Sequence, residues 1–381
     1  MNYTWSYSEK TLKSYKERQK KNKKYYSLVK VLGEESIYNL IYGERSNGKS
    51  FAVDELGVID YWENGNAMAI IRRWDTDFIG KRGQEVFNGL IQNDVIKEVT
   101  KGKWTSVKYE SSRWYFAKYD EELGKVIKDV EPFCYAFALN IAEHYKSLNF
   151  PKIKTILFDE FLTRKSYLPN EFVEFMNVLS TIIRDRDNAR IFMLGNTVNK
   201  YCPYFAEMGL TDIENMRVGD LRTYQLGESE TTITVNYSDK PIKAKKSDKY
   251  FAFNNPKLKM ITSGAWEIDI YPHLLQKYEE KDVLSKFFIC FNRTILQCNI
   301  ILKNNMFIYI HQKTTPLKYP EEEIIYSPEY DVRPNWHRKL NKANDKYSKM
   351  IRMLFNEDRV FYSTNDMGEV VMNYMKWCSI N

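Results

Sequence analysis

The run Gly43-Glu44-Arg45-Ser46-Asn47-Gly48-Lys49-Ser50 places Gly, four variable residues, Gly-Lys and a hydroxyl residue in series. Between a strand and a helix, that pattern makes a phosphate-binding loop. Its glycines let the backbone curl so that amide N–H groups face an anion. The helix start adds positive dipole charge. Lys49 is then placed to reach the β- and γ-phosphates of ATP, and Ser50 to hold Mg2+. Downstream, Ile156-Leu157-Phe158 ends in Asp159-Glu160. An acidic pair at a strand end beyond a phosphate loop suits hydrolysis: Asp159 holds the metal, directly or through water, and Glu160 polarises the attacking water. Without the loop, the same pair would read as an acidic helix start.

Three further groups have two readings each. Asn196, after Gly195, is placed to sense the γ-phosphate or the water, or else it is a turn residue. Arg184 and Arg186, in Arg184-Asp185-Arg186-Asp187, can reach a neighbouring subunit's nucleotide as an arginine finger. The same residues can instead cap a solvated helix end. Arg45, Arg72 and Arg73 can contact phosphate, couple the site to DNA, or close local ion pairs.

These residues need a scaffold. Apolar runs at 36–42, 67–71, 153–158 and 189–194 read as buried strands. A helix is expected after Ser50, and another over 170–184 with Asn170 as its cap. Alternation of strands and helices predicts a mainly parallel sheet covered on both faces, with ligands at the carboxyl ends of its strands. Over 95–120 the alternation predicts a β-hairpin with Lys101-Gly102-Lys103 at its tip, which makes Lys101 and Lys103 candidate DNA contacts. Residues 1–35 form a basic leader, read as a charged helix that is either solvated or an arm for nucleic acid. Residues 207–247 read as a lid or linker ending at the basic run 243–249. From about 248 the pattern turns strand-rich, at 287–291, 295–302 and 306–310 with a turn at Asn304-Asn305. Helical segments are expected near 336–356.

Composition sets bounds on function. The chain has 381 residues with 43% hydrophobic and 28% charged side chains, enough for a packed core in two domains or in one large domain with an appendage. A net charge of +7 suits a polyanionic partner. The five cysteines form no CxxC pair, which argues against zinc and disulfide frameworks and for a reducing compartment. No apolar run approaches a membrane span, and the N-terminus has no apolar signal core. A soluble intracellular protein with no membrane partner is expected.

With these motifs assembled, the chain resembles the DNA-packaging ATPases of small short-tailed phages with protein-primed genomes, the phi-twenty-nine type. The resemblance rests on the strand–loop–helix unit at 36–56, Arg72-Arg73 and Ile156 to Phe161. It continues through Leu168-Pro169-Asn170-Glu171, Ile183 to Asp187, Met193-Leu194-Gly195-Asn196 and Cys202-Pro203-Tyr204-Phe205. It implies an α/β P-loop fold of the additional-strand (ASCE) type at 36–206, related to terminase and FtsK-type translocases. It implies a smaller α+β RNase H-like domain at 248–381. It further implies an ATP- and Mg2+-dependent motor that moves double-stranded DNA through the portal protein of a procapsid. Such a motor is a homo-oligomeric ring of five subunits in the host cytoplasm, transiently at the portal vertex, with a structural RNA as a candidate further partner. Arg184 would be the finger acting in trans, Arg186 its reserve, and Arg72 a signalling or DNA-gripping group. The strands at 287–310 carry no carboxylates, so no nuclease activity is expected. The alternatives are a ring helicase outside a capsid, a terminase with a live nuclease, and a nucleotide-gated binding protein.

Overall fold

The computed structural model describes residues 6–21, 25–163, 167–168, 170–196, 202–210, 212–227, 229, 231–239, 271–291 and 294–380. Trp5, Lys23 and Lys24 of the leader, the basic run 243–249 and the boundary at 247/248 lie outside them. The described elements fall into two compact units.

The first unit begins with α1 (Glu9–Lys21), α2 (Val29–Gly33), β1 (Tyr38–Gly43), α3 (Lys49–Asn64) and β2 (Ala67–Arg72). Short helices α4 (Lys81–Glu85), α5 (Asn88–Gln92) and α6 (Val95–Val99) lead to β3 (Ser106–Glu110), β4 (Arg113–Asp120), β5 (Lys125–Lys128) and β6 (Cys134–Ala138). Then follow β7 (Ile153–Asp159), α7 (Glu171–Ile183), β8 (Arg190–Asn196), α8 (Pro203–Glu207), β9 (Leu221–Gln225) and β10 (Thr232–Tyr237).

These strands build one ten-stranded sheet in the order β3-β4-β6-β2-β7-β8-β1-β10-β9, with β5 paired to β4. Six neighbours, β6 to β10 along that order, run parallel. Their near-continuous apolar sequences fit burial on both faces; β7 and β8 are buried at every position but the last. Strand β8 lies between β1, which feeds the phosphate loop, and β7, which ends in Asp159. That interposed strand is the additional-strand arrangement that the family resemblance implies.

Several expectations need correction. Residues 221–237, placed in a lid, extend the sheet instead. The run Thr232-Ile233-Thr234-Val235-Asn236-Tyr237 is rich in β-branched and aromatic residues, and β10 pairs with β1 from Tyr38↔Ile233 to Tyr42↔Tyr237. Lys101-Gly102-Lys103 is not a hairpin tip. It closes α6: Lys101 has φ +52° and Gly102 φ +80°, and the Gly102 amide donates to Lys97 O at 2.8 Å. The hairpin is β3–β4, turned at Ser111-Ser112, because strict alternation begins only at 106. The leader's helix α1 is charged as expected but packed against α3. Tyr15 is fully buried, the Thr11 hydroxyl donates to Asp60 at 3.0 Å, and Arg18 pairs with Glu55 at 2.7 Å. Asn170 does precede α7, but it lies in the left-handed region (φ +52°) and makes no capping bond. Asn tolerates that conformation.

The second unit contains β11 (Val283–Phe291), β12 (Thr294–Lys303), β13 (Asn305–Gln312), β14 (Ile324–Tyr326) and β15 (Trp336–His337), then α9 (Lys346–Asn356), β16 (Val360–Tyr362) and α10 (Asn365–Ile380). The first three strands form an antiparallel meander that turns at Asn304, φ +62°. β14 joins β11 in parallel, β15 joins β14, and β16 extends the far edge beside β13. The six strands thus form one sheet in the order β15-β14-β11-β12-β13-β16. Helix α10 lies beyond the expected helical region; its buried Met367, Val371, Tyr374 and Cys378 recur at helical spacing. Residues 336–345 are not helical.

Candidate nucleotide site

Parallel register determines what meets at the carboxyl edge of the first sheet. Gly43 pairs with Asn196 across β1–β8, and Asp159 with Leu194 across β7–β8. Ile71 pairs with Phe158 across β2–β7, which brings Arg72 level with Asp159. Four strand ends separated widely in sequence therefore meet at this edge, beside a cleft of about 280 Å³. It is lined by residues 46–51, 159–160 and 194–196.

The loop is held from outside by residues that sequence reasoning missed. Gly43 has φ +151°, and a Cβ there would stand 2.2 Å from Ser238 Oγ. The Asn47 amide donates to that same hydroxyl at 2.8 Å. Gly48 has φ +92°, and its missing Cβ would fall 2.7 Å from Tyr25 Cβ. Both glycines are thus required by backbone conformation and by close approach. No sequence signal pairs Asn47 with Ser238, because the partners are 191 residues apart.

Inside the cleft, the Lys49 ammonium donates to Glu44 O at 2.7 Å, to Asn47 Oδ1 at 3.2 Å and to Asn196 Oδ1 at 3.4 Å. The structure thus brings together four of the residues picked from sequence. Ser50 Oγ donates to Asp159 Oδ1 at 3.2 Å. A hydroxyl and a carboxylate meeting at the cleft form a hard oxygen pair, which fits Mg2+. Arg45 and Ser46 are exposed on the rim of the loop.

The neighbouring arginines Arg72 and Arg73 have different surroundings. Arg72 is half-buried and donates from Nη2 to Asp159 Oδ2 at 3.0 Å. Burial works against its charge, but Asp159 and Glu160 outweigh that and raise its pKa. Beneath, on α3, burial and nearby Asp159 hold the Asp54 carboxyl well above the usual carboxylate range, with Arg72 opposing. Arg73 is buried. Nε and Nη2 clamp the Glu171 carboxylate at 2.7 and 2.8 Å, and the Tyr204 hydroxyl donates to Glu171 at 2.9 Å. Arg73 also donates to the carbonyls of Glu160 at 3.2 Å and Phe161 at 3.1 Å. Of its sequence readings, the local ion pair is the one seen. Glu160 itself is exposed at φ +62°, a left-handed conformation costly for a non-glycine residue. The Arg73–Glu171 clamp holds the backbone in that turn.

Arg184 and Arg186 lie at the opposite, amino edge of the sheet. Arg186 is engaged on both terminal guanidinium nitrogens: Nη1 donates to Ile153 O at 2.6 Å and to Asn188 Oδ1 at 3.0 Å, and Nη2 to Phe150 O and Ile182 O. Arg184 is exposed, at φ +49°, and donates to Leu148 O at 2.6 Å. The length of β7, roughly 20 Å at about 3.3 Å per residue, separates this edge from the cleft. Neither arginine meets the loop of its own chain. Lys103 is also away from the cleft, its ammonium 5.6 Å from the Trp104 ring and 5.9 Å from that of Trp62, and Lys101 is exposed.

The family model described as podovirus DNA encapsidation protein (Gp16) matches residues 20–223, more than half of the chain. The DNA packaging protein of Bacillus phage phi29 is 26% identical over 197 residues, covering 51% of this chain and 52% of that protein. That of Bacillus phage B103 is 27% identical over 191 residues, covering 49% and 52%. The chain spans about half the length of the curated relatives it matches. Among solved structures, the bacteriophage Phi-29 viral genome packaging motor assembly aligns with TM-score 0.59 and 18% identity over 92% of this chain and 99% of that one. The Phi-28 gp11 DNA packaging motor aligns with TM-score 0.55 and 19% identity over 92% and 98%. At these identities the likeness to the two motors is one of fold.

Proposed function

This chain belongs to the podovirus DNA encapsidation protein (Gp16) family, and from that premise we propose that it is an ATP-hydrolysing motor driving double-stranded viral DNA through a portal into a preformed procapsid. The observation that carries the proposal is the meeting of Lys49, Ser50, Asp159 and Asn196 in one cleft, with Glu160 at its edge.

The proposed division of labour follows from chemistry. Amides of residues 46–50 cradle the triphosphate, and Lys49 moves from the loop carbonyls to the β- and γ-phosphate oxygens. Ser50 and Asp159 are the residues that would hold Mg2+, which supplies charge neutralisation at those oxygens. Glu160 orients and polarises the attacking water. Asn196 reports on the γ-phosphate through its contact with Lys49. Arg72 holds Asp159 in place and couples the cleft to the rest of the subunit. Arg184, exposed and about a strand's length from its own loop, is suited to complete a neighbour's site rather than its own. The fully engaged Arg186 is the poorer candidate. The family resemblance implies a homo-oligomeric ring, read as a pentamer, in which such a finger would reach the neighbouring site.

The second unit is read as a nucleic-acid- or portal-binding unit without nuclease activity, because β11–β13 contain no Asp or Glu. DNA is gripped through its phosphates, which makes movement independent of sequence and weaker in salt. Lys101 is the better candidate for such a contact, since Lys103 sits beside two indole rings. A structural RNA is a further candidate partner, and the host cytoplasm and portal vertex are the proposed locations. Among the described residues no helix is long and apolar enough to cross a membrane.

The test is to incubate the protein and ATP with purified procapsids and genomic DNA and to measure DNase-protected DNA. Protection requiring ATP and Glu160 supports the motor. ATP hydrolysis indifferent to procapsid and DNA overturns it. The trans role of Arg184 is tested by mixing Arg184→Ala with Glu160→Gln subunits. Partial recovery of hydrolysis is expected, and none at any ratio contradicts it.

A further inference from the structure

The phosphate chemistry accounts for the floor of the cleft but not for its aromatic wall. Phe51, directly after Ser50, lines the cleft and is the one aromatic residue among those that line it. Tyr25 stacks on Phe51, with ring centroids 4.6 Å apart and planes inclined by 30°. Phe51 also approaches α5, where a Cβ on Gly89 would lie 3.6 Å from its Cδ2 atom.

The wall is anchored to the phosphate loop itself. The Tyr26 amide donates to Asn47 O at 2.8 Å, and the Tyr26 hydroxyl donates to Asn236 Oδ1 at 2.6 Å. The Leu28 amide donates to the hydroxyl of Tyr15 on α1 at 3.2 Å. Tyr25 is thereby held over Gly48, whose lack of a Cβ leaves room for it. The leader's aromatic residues thus have a place in the nucleotide site that their sequence pattern did not reveal.

We propose that Tyr25 and Phe51 form the platform on which the nucleobase of the bound triphosphate stacks. The inference deepens the ATPase reading and rests on it. Aromatic rings hold any base by its π-face. The polar side chains lining the cleft are Ser46, Asn47, Lys49, Ser50, Asp159, Glu160 and Asn196. Asn47 is held by Ser238 and Lys49, Ser46 is exposed on the loop rim, and the other five are assigned to phosphate, metal or water. Apart from the Ser46 hydroxyl on the rim, no described lining side chain is therefore left to read a base edge. The site selects purine over pyrimidine triphosphates by stacking area, and does not separate adenine from guanine.

Hydrolysis of ATP, GTP, CTP and UTP is measured for the parent chain, Tyr25→Ala, Tyr25→Phe and Phe51→Leu, with inorganic tripolyphosphate as a competitive inhibitor that has no base. Phe51→Leu keeps an apolar side chain against Gly89 and removes the ring. In the parent, KM is expected to be several-fold lower for ATP and GTP than for CTP and UTP. Tyr25→Ala and Phe51→Leu should raise the KM for ATP about tenfold, the usual scale for loss of one stacked base contact. They should erase the purine preference and leave inhibition by tripolyphosphate within about twofold. Tyr25→Phe should behave as the parent. An unchanged KM for ATP in both ring-removing variants overturns the inference. So does an equal loss for ATP and tripolyphosphate, which would make the pair a buttress of the loop. A parent chain that hydrolyses no nucleotide overturns the ATPase reading, and this inference with it.

Discussion

The two sheets use similar strands to opposite ends. In the first, β2, β7, β8 and β1 lie side by side and parallel, so Arg72, Asp159, Asn196 and Gly43 emerge at one edge. In the second, β11, β12 and β13 form a meander, so successive strand ends fall on alternate edges. Their residues also include no acidic side chain. Parallel direction converts residues far apart in sequence into one polar cluster, and a meander of apolar strands does not. The contrast predicts chemistry in one unit and packing in the other.

The strongest way to sharpen this contrast is Glu160→Gln. Loss of the carboxylate proposed to polarise the attacking water should lower turnover about 10²- to 10⁴-fold while ATP binding persists. Turnover within threefold of the parent would remove Glu160 from the chemistry. Next is Arg73→Ala, which leaves the buried Glu171 carboxylate without its cation. A loss of about 3–5 kcal/mol is expected in denaturant unfolding. A loss below about 1 kcal/mol would mean the clamp does not hold the turn at 160–161.

In the second sheet, fully buried Ile300→Ala should cost about 2–5 kcal/mol through the cavity it leaves. ATP affinity should stay within twofold. If ATP affinity fell tenfold, the division between a chemical and a packing sheet would fail. The smallest effect concerns Asp54. Its folded-state pKa is raised by burial, so the folded chain binds the proton more tightly than the unfolded chain. The stability it contributes is full below the ordinary Asp range and declines as pH rises through the folded value. Asp54→Asn should remove that decline, so its melting temperature at pH 8 should match or exceed the parent's. A variant that loses more stability at pH 8 than at pH 5 would contradict the assignment.

What was legible in the sequence was local. Gly43 to Ser50 and Asp159-Glu160 announce themselves because each follows an apolar strand, and the alternation of strands and helices gave the mainly parallel sheet, while the additional-strand order came only from the family resemblance. What was hidden depends on long-range approach. Glu171, read as part of a helix start, is the buried partner of Arg73, 98 residues away. Ser238 and β10 sat in a segment whose polarity suggested a lid, although a parallel pairing with β1 buries it. Lys101-Gly102-Lys103 was misplaced because positive-φ residues close helices as readily as hairpins. The leader's lysines hid Tyr15 and Tyr25, whose burial and stacking depend on α3 and the loop.

The most direct test of the account is a crystal structure of this chain with a non-hydrolysable ATP analogue and Mg2+. The account predicts phosphates on the amides of 46–50, Lys49 transferred to their oxygens, and the metal between Ser50 and Asp159. An analogue bound elsewhere, or Lys49 still on the carbonyl of Glu44 with the cleft empty, would contradict it.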